Sequence, residues 1–106
     1  MEDGLYRVQF QTPIGMGAGV VVLQGGTLRG GDSGMYYVGT YHVDGENLTA
    51  TVNTNRHTAN LQSVFGQDQV EIHLQGKIQN DTATVTGNSA QAPGIAFTAI
   101  LTKLNA

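Results

Sequence analysis

One stretch of this sequence spells a catalytic signature. Gly31-Asp32-Ser33-Gly34 is the tetrapeptide around the nucleophile of many serine proteases. A serine becomes a nucleophile only with a base in hydrogen-bond reach and a third group to orient that base. No histidine precedes Ser33, and Met35, Tyr36 and Tyr37 follow the motif. The same letters also suit a glycine-rich turn in which Asp32 or Ser33 bonds nearby backbone amides. That is the role expected here, and no catalytic residue is assigned.

The histidines are His42, His57 and His73, none spaced from another as paired metal ligands are. A zinc site needs three or four converging ligands, so no metal and no cofactor are expected. Arg56 and His57 open a long polar connection, and Asp44 and Glu46 flank a turn glycine. These four are the charged or titratable candidates for a partner-binding surface. Their ordinary alternative is local, with Arg56 bonding loop carbonyls and His57 capping a strand end.

Such residues need a scaffold, and the scaffold reads as β throughout. Period-two alternation recurs and helical period is nearly absent. Residues 5–11 place Tyr6, Val8 and Phe10 on one face; 47–55 place Leu48, Ala50 and Val52; 69–78 place Val70, Ile72 and Leu74. Further strands are expected over 17–24, within 25–31, over 35–43 and 82–88, and within 94–104. Asp44-Gly45 and Asn80-Asp81 read as tight turns. Short connections make sequence neighbours antiparallel neighbours. The expected fold is therefore all-β: one domain over 1–106, an eight-stranded antiparallel up-and-down barrel. Strand count alone leaves a sandwich open.

A barrel of eight strands can hold one small ligand. Its expected lining is Tyr6, Phe10, Tyr37, Tyr41, Phe65 and Phe97; Tyr36 is a further tyrosine candidate, and core packing with hydroxyls at the rim is the ordinary alternative for the tyrosines. The connection 56–68 is long for a compact domain, and such loops often cover a site. Its Val64 and Phe65 are apolar among polar neighbours. Leaving Phe65 in water would cost about 1.5–3 kcal/mol, so Phe65 is expected to plug one end of the barrel. Val20 to Leu23 and Ala96 to Leu101 are apolar or small on both faces. Their outward residues Val20, Val22 and Ile100 are the expected interface of a symmetric homodimer.

Composition excludes several classes. Among 106 residues only 12% are charged, and the formal charge is -3. The five basic residues are dispersed between Arg7 and Lys103, so direct nucleic-acid binding has no electrostatic footing. No apolar run approaches the roughly 20 residues of a membrane helix. Cysteine is absent, and the first residues are acidic where a signal peptide is basic. A soluble, cytoplasmic protein is expected.

The order of four segments carries a resemblance. "DGLYRVQFQTPIGMGAGVVVL", "GGDSGMYYVGTY", "RHTANLQSVFG" and "GIAFTAILTK" resemble the GrlR family, small bacterial negative regulators of type III secretion genes. The resemblance covers nearly the whole chain. It implies a lipocalin-like barrel that dimerises by hydrophobic contact, with a loop plugging an apolar cavity. It also implies a non-enzymatic role, sequestering a transcription regulator. Enterobacterial members use a run of alternating Glu and Asp for that purpose. This chain has no such run; Glu2-Asp3 and Asp44-Gly45-Glu46 come nearest. A small hydrophobic-ligand binding protein of lipocalin type is the alternative.

Overall fold

The computed structural model describes residues 1–59 and 69–105. The expected plug, with Val64 and Phe65, lies outside the described residues. Eight strands follow one another: β1 (Gly4–Thr12), β2 (Gly15–Gln24), β3 (Thr27–Gly31), β4 (Met35–Asp44), β5 (Asn47–Arg56), β6 (Gln69–Gln79), β7 (Thr82–Asn88) and β8 (Phe97–Asn105). Each pairs antiparallel with its sequence neighbour, and β8 returns to β1 to close a lipocalin-like barrel. Among the described residues no helix is long and apolar enough to cross a membrane.

Alternation decides which side chains line the interior. Tyr6 and Val8 of β1, Val21 and Leu23 of β2, and Val70 and Ile72 of β6 are buried, while Arg7, Val22 and Glu71 between them face out. Closure also needs sharp bends, and inward-facing glycines supply them. A Cβ at Gly76 would stand 1.9 Å from the Thr84 carbonyl oxygen, and one at Gly39 would stand 2.2 Å from that of Thr51. At both places the neighbouring strand passes where a side chain would be. These corners turn the sheet into a barrel rather than a sandwich.

The two ends of the barrel differ. At the lower end the connections are two-residue turns at Gly25-Gly26, Gly45-Glu46 and Asn80-Asp81. The Asn80 turn falls where the sequence places it, with φ at 57°. The other expected turn moves by one residue: Asp44 pairs with Asn47, and Gly45 at φ 61° takes the first loop position. Residues 1–3 fold across this end. Met1 packs on the core. The Tyr6 hydroxyl donates to the Glu2 carbonyl at 2.7 Å, and Lys103 Nζ donates to Glu2 Oε1 at 3.1 Å. The Gly25 amide donates to Asp3 Oδ1 at 3.1 Å.

At the upper end the connections include 13–14, 32–34 and 89–96. Residues 89–96 form a second substantial connection beside the one from 56. Ser89 and Ala92 in it are buried, and Ile95 packs against the core.

Candidate functional site

The barrel interior holds a cavity of about 200 Å³. Val8, Val21, Leu48, Val52, Ile72 and Leu74 build its aliphatic wall. The aromatic part sits nearer the upper end. Phe10 meets Tyr37 edge-on with centroids 6.3 Å apart, and stacks on Phe97 at 6.0 Å. Room for the Phe10 ring comes from Gly17, where a Cβ would stand 2.8 Å from Phe10 Cε1. The expected lining residues Phe10, Tyr37, Tyr41 and Phe97 all face this cavity. Tyr6 does not: it is buried at the lower end, its hydroxyl tied to Glu2. Tyr36 points outward, because adjacent strand residues face opposite ways.

The Gly-Asp-Ser-Gly turn forms part of the cavity rim. Asp32 Oδ1 accepts the Gly34 and Met35 amides at 2.9 and 2.8 Å. Its Oδ2 accepts the Tyr37 hydroxyl. Burial, and then the Asp32 carboxylate, push the Tyr37 phenol well above the usual tyrosine range, so it stays protonated. Asp32 thus does the turn-forming work expected of it, and reaches one side chain more.

His57 also comes to this turn, because the β4–β5 hairpin pairs Met35 with Arg56. Its Nε2 lies 2.9 Å from the Asp32 carbonyl oxygen, to which it can only donate. That leaves Nδ1 of the neutral ring to accept from Thr58 Oγ1 at 2.7 Å. The imidazole serves the loop and is not turned to Ser33, which stands exposed at the rim. Arg56 Nη1 likewise donates to the Thr58 carbonyl at 3.4 Å.

The four partner-binding candidates do not converge. Asp44 and Glu46 flank the lower hairpin, while Arg56 and His57 stand at the opposite end of β5. Ten residues of β5 separate the pairs, roughly 30 Å at about 3.4 Å per residue. The dimer candidates divide as well. Val20 and Val22 are 46% and 45% exposed, and Tyr36 and Val38 are 44% and 43% exposed. The β2–β3–β4 register aligns Val22, Arg29 and Val38 in one row and Val20, Gly31 and Tyr36 in the next. Ile100, also half exposed, stands apart from this patch beside Gln9 and Thr84. Tyr36 is a cavity candidate in the sequence and Val38 has no assigned role there; strict alternation over 35–43 turns both outward.

His42 and His73 face outward. His73 Nε2 lies 3.6 Å from Glu71 Oε2, both side chains well exposed. Among the described residues no group of three or more His, Asp or Glu side chains could hold a metal ion.

No protein-family model matches this chain. No curated protein matches it significantly either.

Proposed function

We propose that this protein acts by binding rather than catalysis, and that a small apolar molecule occupies the barrel. The observation that carries this is the cavity: about 200 Å³, walled by aliphatic and aromatic side chains, and reaching the surface at Met16 and Ser33. Its wall is mainly apolar, and mainly apolar cavities of this order take apolar guests. A single aromatic ring fits it in size. Burying roughly 150 Å² of such a ring at about 25 cal/mol per Å² gains about 4 kcal/mol; with association costs subtracted, Kd is about 1 mM or weaker. Calorimetric titration with ethylbenzene tests the proposal. Saturable binding is expected, weakened about tenfold by Ala50→Leu, which fills the cavity without adding a polar atom. No saturation by the wild type would contradict it.

The outer surface favours a second binding role. Val20, Val22, Tyr36 and Val38 are half-exposed apolar side chains grouped around Arg29, which stands between Val22 and Val38. A second copy of the chain covers them in this account, giving the homodimer expected from the sequence. Val22→Lys should then shift the dimer to monomer in sedimentation equilibrium; a monomeric wild type at tens of micromolar would sink the assignment. The GrlR resemblance adds a cellular use, negative regulation in the cytoplasm by sequestering a transcription regulator. With Asp44 and Glu46 at one end and Arg56 and His57 at the other, such a partner would engage one end only. Capture of a regulator from the native host, lost with Asp44→Lys or with Arg56→Glu, would show which.

A further inference from the structure

We infer that the molecule inside the barrel is an apolar compound whose polar end donates a hydrogen bond, an alcohol or an ammonium, and not a carboxylate. This rests on the interior-ligand proposal and concerns the few polar groups in the cavity wall.

Two of those groups have a fixed direction. Asp32 and Tyr37 both line the cavity. The Tyr37 hydroxyl proton is committed to Asp32 Oδ2, so what the phenol oxygen can offer a guest is a lone pair. Asp32 is an acceptor on both oxygens and already takes three donors, from Gly34, Met35 and Tyr37. A carboxylate offers about four acceptor sites, so one remains. Thr54 also lines the cavity, and its hydroxyl lies a long 3.4 Å from the Val70 carbonyl, so it can turn to donate or to accept. Two neighbouring polar side chains, Asp32 and Tyr37, therefore present oxygen lone pairs. Among the described lining residues, the hydroxyls of Ser33, exposed at the rim, of Tyr41 and of Thr54 can turn to either role.

The charge points the same way. One carboxylate at the edge of an apolar chamber attracts an ammonium and repels a second carboxylate, more strongly than it would in water. Replacing Tyr37's partner with a guest anion would bring two negative groups together. No arginine or lysine lines the cavity to offset that. At Asp32 and Tyr37 a carbonyl-bearing guest without a donor would meet acceptors and leave its oxygen unsatisfied there. The outcome is selectivity by head group on an otherwise unselective apolar chamber.

The test is a calorimetric series that keeps one ring and changes its head: ethylbenzene, benzyl alcohol, benzylammonium, benzaldehyde and benzoate. Benzyl alcohol and benzylammonium should bind about tenfold tighter than benzaldehyde, and benzoate should not saturate. In Tyr37→Phe, which keeps the ring and removes the acceptor oxygen, the advantage of benzyl alcohol over ethylbenzene on that same variant should shrink. In Asp32→Asn, the side-chain oxygen can still accept the Gly34 and Met35 amides, but an N–H replaces an acceptor, and benzaldehyde should gain on benzylammonium. If ethylbenzene binds and the heads rank within about twofold of each other, or benzoate binds best, the inference falls and the interior-ligand proposal stands. If nothing binds, ethylbenzene included, the proposal itself fails and the inference with it.

Discussion

Asp32 shows how much one side chain can organise. It closes its own turn through the Gly34 and Met35 amides and holds the Tyr37 hydroxyl from a position five residues away. Removing it strands three donors, so Asp32→Ala should cost about 1–3 kcal/mol in urea denaturation, and Asp32→Asn less. Tyr37 adds a pH dependence. Its phenol is held above the ordinary value by burial and by Asp32, so the folded protein keeps a proton that the unfolded chain loses above about pH 10. Stability from this group is full below that pH and falls as pH rises through it. Tyr6, raised mainly by burial, and Lys103, raised by its bond to Glu2, change in the same sense. Urea midpoints taken between about pH 9 and 11 should fall for wild type and fall less for Tyr37→Phe. The turn chemistry of Asp32 was legible because its backbone partners are adjacent in sequence. Tyr37 as a partner, and His57 at 25 residues' distance, were not: the hairpin is expected, but which side chains its register sets beside the turn depends on pairing Met35 with Arg56.

At the scale of strands, the alternation carried nearly all the information. Leu48, Ala50 and Val52, and Val70, Ile72 and Leu74, fall on the inward face as their spacing predicts. Two things were not legible. Barrel closure depends on β8 pairing with β1, a contact between the chain's extremes with no local pattern to announce it. The corners depend on glycines whose neighbours across the sheet are known only after folding. The inward Lys103 makes the same point: a lysine on a core face looks misplaced until Glu2 is seen across it. The corners give an ordered prediction. Ala at Gly76 would push a Cβ against a backbone oxygen that cannot swing aside, so Gly76→Ala should cost about 3 kcal/mol. Gly45 has open space around it and only its positive φ to satisfy, so Gly45→Ala should cost about 1–2 kcal/mol. Thermal melts of the two variants check the order; equal losses would show that Gly76 is not a corner.

For the whole molecule, the sheet separates two apolar surfaces. One encloses the cavity. The other, over β2 to β4, is half exposed to water. An apolar probe therefore has two places to go, and the functional account requires the inner one. Methyl-labelled NMR with ethylbenzene distinguishes them, because the valines, leucines and isoleucines divide by facing. The account predicts saturable shifts at Val8, Val21, Leu48, Val52 and Ile72, with Val20, Val22, Val38 and Ile100 unmoved. Shifts confined to the outer set, or none that saturate, would contradict it.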